Sequence, residues 1–137
     1  MTLPRWLSTR LVKLAALTKA RGSISIAIVG DAEMSRLHRQ YKGIAGPTDV
    51  LTFDLREATS EPIEGDIVIC FDEARRQATA RGHDVKLELL LYALHGLLHL
   101  MGYDDHDVRD YRRMHRREDE LLQRAGLGAV FASAKHP

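Results

Sequence analysis

With 137 residues, the chain can bury one substantial core and is too short for two ordinary domains. A composition that is 45% hydrophobic and 28% charged is that of a folded globular protein, and a formal net charge of +1 gives no overall electrostatic pull toward nucleic acid. The single cysteine, Cys70, excludes an internal disulfide framework and fits a reducing compartment; it lies in an apolar run as a small buried hydrophobe.

Residues 1–30 carry Arg5, Arg10, Lys13, Lys19 and Arg21 but no Asp or Glu, a composition shared with transit peptides. Leu7, Leu11, Leu14 and Leu17 nevertheless recur at helical spacing, so residues 4–20 are read as a first amphipathic helix with Pro4 in its first turn. Ser23–Val29 alternates with Ile24, Ile26 and Ile28 on one face, the pattern of a half-buried strand. Asp31 suits the N-cap of a helix that turns Met34, Leu37 and Tyr41 inward. Lys42–Pro47 is a loop, punctuated by two glycines and a proline. Asp49–Leu55 alternates again and should bury Leu51, Phe53 and Leu55, after which Thr59–Glu64 forms a polar turn holding Pro62. Asp66–Phe71 is apolar between its ends, as in a strand covered on both faces, and Ala74–Arg81 is a short charged helix. Val85–Met101 is apolar nearly all round and should be the buried central helix. Asp107 can cap a last helix with Val108, Tyr111, Met114, Leu121 and Leu122 inward, ended by Gly126; a loose tail follows from residue 129. The expected fold is α+β, a small mixed sheet of three strands packed with about five helices, and a fourth strand if the native start lies upstream. The apolar run in the central helix is too short to span a membrane and no secretory segment is present, so a soluble, cytoplasmic protein is expected.

The chemistry is concentrated in His95-Gly-Leu-Leu-His99-Leu-Met-Gly102-Tyr-Asp104-Asp105-His106. Residues four apart on a helix lie one above the other, with Cβ atoms roughly 5–6 Å apart. That spacing lets two imidazoles meet one cation at the usual Zn–N distance of about 2.0–2.1 Å. Gly102 can adopt the left-handed conformation that stops the helix, so the turn brings Asp105 or His106 round as a third ligand. Three protein ligands with a fourth position open describe a catalytic zinc site. The zinc-protease pattern H-E-x-x-H carries its general base at the second position, where this chain has Gly96. Glycine transfers no proton and costs the helix roughly 1 kcal/mol against alanine, so another group must approach closely there.

These residues resemble the signature of the YbeY family of bacterial ribosomal-RNA endoribonucleases, H-G-x-L-H-L-x-G-Y-D-H. Gly46-Pro-Thr-Asp-Val-Leu-Thr-Phe53 is similar to the family's P-T-D-V-L-S-F, Glu64-Gly-Asp-Ile-Val-Ile-Cys70 to its G-D-I-V-I-S, and Tyr41-Lys-Gly43 to its Y-R-G turn. The resemblance runs from about residue 24 to 122. It implies that residues 1–137 form one metallo-endoribonuclease domain, specific for single strands and acting at the 16S ribosomal RNA 3′ end and in ribosome quality control. The reaction is then metal-activated water attack on the phosphodiester, with one divalent metal, Zn²⁺ or another such ion, on His95, His99 and a third ligand, and with the ribosomal small subunit as partner. Neither DNA nor a membrane is expected.

Three departures from the family pattern bear on the site. The family's third histidine falls six residues after its second, where this chain has Asp105, so Asp105 is the favoured third ligand and His106 the alternative. The family's turn arginine is Lys42, a point charge in place of a bidentate fork. The family's usual first strand has no counterpart ahead of the first helix.

Lys42 is read as a substrate-binding and catalytic cation. Thr48 and Asp49 can shape the site or simply form a turn, and Asp66 reads as structural. Asp104 can orient a ligand or end a helix in solvent. The five arginines between Arg109 and Arg117, interleaved with Glu118, Asp119 and Glu120, read as a solvated helix face, and His38, His83, His115 and His136 receive no role. Two other function classes fit the residues: a zinc-dependent peptide or amide hydrolase with a base from elsewhere, and a non-catalytic ribosome-assembly binder stabilised by its metal.

Overall fold

A computed structural model describes residues 4–104 and 107–125. The elements run α1 (Arg5–Thr18), β1 (Gly22–Val29), α2 (Asp31–Lys42), β2 (Val50–Asp54), β3 (Ile63–Cys70), α3 (Phe71–Arg81), α4 (Val85–Leu100) and α5 (Val108–Arg124). β3 is the central strand, parallel to β1 and antiparallel to β2. Its side chains alternate between two covered faces. Ile63, Ile67 and Ile69 join the main core with α4, while Val68 and Cys70 pack with Met34 of α2 and Leu51 of β2. Burial on both sides is why the strand reads as an unbroken apolar run. The fold is α+β.

Helix α4 is apolar all round because α1, α3, α5, β2 and β3 all pack against it. Its leucines at 90, 91, 94, 98 and 100 are at most 1% exposed, each contributing about 1.5–3 kcal/mol of burial. Asp84 caps its start by accepting from the Lys86 N–H at 2.9 Å. At its other end Arg56 Nη2 donates to the Leu100 carbonyl at 2.6 Å, and Gly102, at φ 99°, turns the chain away. Asp107 caps α5 as expected, accepting from the Asp110 N–H at 2.8 Å. Among the described residues no helix is long and apolar enough to cross a membrane.

The close approach expected at Gly96 comes from the sheet. A Cβ there would lie 2.9 Å from Cγ2 and Cδ1 of Ile67, which is fully buried. Gly96→Ala should therefore destabilise the fold by up to roughly 2 kcal/mol, the overpacking cost of about 1–3 kcal/mol less the gain of roughly 1 kcal/mol in helix propensity. The check is the urea midpoint at unchanged m-value; a higher midpoint would contradict it.

Several expectations need correction. Gly30, not Asp31, is the N-cap of α2; the Asp31 carboxylate instead accepts from both terminal nitrogens of Arg76 at 2.8 Å. That guanidinium holds the Asp31 carboxyl at about 2. Lys42 is the last residue of α2 and not a loop residue, because Gly43 at φ 68° supplies the left-handed stop one position later. β3 begins at Ile63, inside the expected turn, because parallel pairing with β1 from Gly22 holds it. α3 begins at Phe71, three residues early, directly from the end of β3. Tyr41, Leu55, Val108 and Tyr111 are 56%, 52%, 66% and 41% exposed instead of buried. Tyr41 still rests edge-on against Phe53, ring centroids 5.1 Å apart. The expected helix stop at Gly126 and the tail from 129 lie outside the described residues.

Candidate active site

His95 and His99 are the half-buried positions in an otherwise buried stretch of α4. Their Nε2 atoms stand 3.1 Å apart. Two nitrogens each about 2.0–2.1 Å from one cation, at a tetrahedral angle, would be roughly 3.3 Å apart, so the observed spacing suits shared coordination. Glu118 of α5 sets the chemistry of the first imidazole. Its Oε1 lies 2.9 Å from His95 Nδ1, and the carboxylate is fully buried. With the carboxylate oxygen as acceptor, His95 Nδ1 donates to it and Nε2 is turned toward His99. The second ring nitrogen of a ligating histidine is commonly held this way. His115, 6% exposed, has Nδ1 3.5 Å from the same Glu118 oxygen.

Lys42 joins this pair across the fold. It lines one cavity of about 350 Å³ with His95, His99, Asp49, Thr52 and Leu100. Lys42 comes from the C-terminal end of α2 and the histidines from α4, with β2 between them as the cavity wall. Asp49 Oδ1 accepts from the Val50 N–H at 2.7 Å and from the Thr48 hydroxyl at 3.3 Å, so this pair shapes the entry to β2 while bordering the cavity. Asp66 is half-buried in mid-strand, in register with Ser25 and Phe53. Asp104 is half-buried just beyond Gly102. Asp105 and His106 lie outside the described residues. Among the described residues no group of three His, Cys, Asp or Glu side chains forms a metal-holding set.

Sequence reasoning missed a second buried group beside the site. Glu88 of α4 is fully buried, and its Oε1 accepts from Arg81 Nη1 at 2.8 Å and meets His83 Nε2 at 2.6 Å. Arg81 in turn lines a second cavity, of about 320 Å³, that meets the first at His95 and Asp49. Tyr92 also borders it; burial, then the charge of Glu88, push that phenol above its usual range and keep it protonated. The arginines at 109, 112, 113 and 116 are exposed, as a solvated face should be, and Arg113 sits over the Tyr103 ring at 5.1 Å.

The chain is similar to known proteins over most of its length. The family model described as Endoribonuclease YbeY matches residues 3–126. An endoribonuclease YbeY from Anaeromyxobacter sp. (strain Fw109-5) is 47% identical over 115 residues, covering 83% of this chain and 60% of that protein. One from Desulfitobacterium hafniense is 39% identical over 113 residues, covering 76% of this chain and 72% of that protein. The solution structure of TM1509 from Thermotoga maritima superposes with a TM-score of 0.60 at 26% identity, covering 86% of this chain and 80% of that one. The chain belongs to the endoribonuclease YbeY family, whose members are hydrolases acting on RNA.

Proposed function

We propose that this protein is a single-strand-specific, metal-dependent endoribonuclease of the cytoplasm, maturing the 3′ end of 16S ribosomal RNA and serving ribosome quality control at the small subunit. The observation that carries the reading is the convergence of Lys42, His95 and His99 on one cavity. Family membership favours it over the zinc peptidase and the non-catalytic binder. His95 and His99 would hold one zinc ion, with Asp105 as third ligand and His106 as the alternative. Zinc, when bound, supplies Lewis acidity and an acidified water. The chain supplies the rest. Glu118 keeps His95 in the tautomer that presents Nε2. Lys42 binds a non-bridging phosphate oxygen and stabilises the negative charge that grows on it during in-line displacement.

The test is cleavage of an end-labelled RNA carrying the 16S 3′ sequence, free and annealed to its complement. Cleavage of the free strand with the duplex intact is expected; indifference to annealing, or no cleavage, would contradict the reading. Glu118→Gln should keep the fold and weaken zinc binding by about ten-fold, the lower end of the usual effect of removing a histidine-orienting group. Zinc titration by calorimetry measures this, and an unchanged affinity would show that Glu118 is merely packed. Asp105→Ala should cost far more zinc affinity than His106→Ala; the reverse order would transfer the third-ligand role to His106.

A further inference from the structure

We infer that the second cavity is a base-binding subsite: it takes one unstacked nucleobase flanking the scissile phosphate, stacked on Tyr111 and hydrogen-bonded along its edge by Gln77 and Arg81. The inference rests on the endoribonuclease reading above. The cavity opens beside the candidate centre, since His95 borders both spaces, so a strand with a phosphate at His95 has a neighbouring nucleotide within reach. Its volume of about 320 Å³ suits one nucleotide unit and not a duplex. Charge decides which part of the nucleotide enters. Asp49 and Glu73 contribute carboxylates to the lining, and the Arg81 guanidinium there faces the buried Glu88 carboxylate. A phosphate would be repelled there, and a neutral base would not.

The lining chemistry also matches a base. Tyr111 lines the cavity and is 41% exposed overall, its ring and that of His115 T-shaped with centroids 4.0 Å apart. A partly exposed aromatic ring lining such a cavity can stack a base of single-stranded nucleic acid. Leu91 gives the wall apolar surface. The polar groups are held in place: Gln77 Nε2 donates to Glu73 at 3.1 Å, and Arg81 is pinned by Glu88. Fixed amide and guanidinium groups can read the edge of a base only where it is unpaired, which gives the enzyme a physical basis for preferring single strands.

The test measures binding and steady-state cleavage together, with the zinc-loaded protein and a fluorescent single-stranded RNA in which one abasic site is moved through the positions flanking the cut. In the wild type, one abasic position should weaken binding and raise KM by roughly ten-fold, with kcat little changed. Tyr111→Ala should weaken the intact RNA by a similar factor and erase the abasic penalty at that position. Gln77→Ala, which leaves the Arg81–Glu88 pair alone, should reduce the preference among the four bases there. Abasic penalties that are equal at every position, or that survive unchanged in Tyr111→Ala, would overturn the subsite while leaving RNA cleavage in place. Failure of the wild type to bind single-stranded RNA at all would overturn the endoribonuclease reading with it.

Discussion

The His95→Ala, His99→Ala double variant should lose its zinc entirely and cleave RNA no faster than buffer does. Protein purified without added metal should carry about one equivalent per chain, because a histidine pair with one further donor makes a tight site with one position open. The two Nε2 atoms, 3.1 Å apart, are what α4 would supply to that site. Both side chains are only half-buried, so their truncation should leave the leucine core of α4 and the fold in place. Elemental analysis alongside circular dichroism checks both halves. Full zinc content in the double variant, with native helicity, would remove the histidines from the metal.

Lys42→Ala should reduce kcat by about 10²–10³-fold, the usual loss when one donor aimed at developing charge is removed. Zinc content should stay at one equivalent, since Lys42 shares the cavity with the histidines but belongs to α2. Stability should change little. Lys42 is exposed at the end of its helix, where a cation favours the dipole by only about 0.3–1 kcal/mol. Lys42→Arg should keep activity, because a guanidinium offers two parallel donors to the same phosphate. Joint loss of zinc and stability in Lys42→Ala would show a structural lysine and contradict this role.

The features legible in the sequence were those written in local periodicity. β3 announced its two covered faces by an unbroken apolar run, and α4 announced its central place by being apolar all round. The histidine pair, the stop at Gly102 and the crowding at Gly96 were visible in the same way. What was misread depends on contacts distant in sequence. Ile63 and Glu64 look like part of a turn beside Pro62 until β1 pairs with them. Glu118 was read as solvated because charged neighbours surround it. Yet it stands four residues after Met114 and three before Leu121, on the buried stripe of α5, so helical spacing held the signal that composition hid. Glu88 carried a similar clue, a carboxylate inside a helix with no exposed face to accept it. Its partners Arg81 and His83 come from the end of α3 and the turn after it, which no spacing rule within α4 foretells.

Whether one metal held by His95 and His99 beside Lys42 drives RNA cleavage is read from a zinc titration of chelator-stripped protein, followed by cleavage of the single-stranded 16S 3′ RNA. Stripped protein should be folded and inactive, and activity should rise linearly and break at one equivalent. Undiminished cleavage by stripped, metal-free protein would contradict the account.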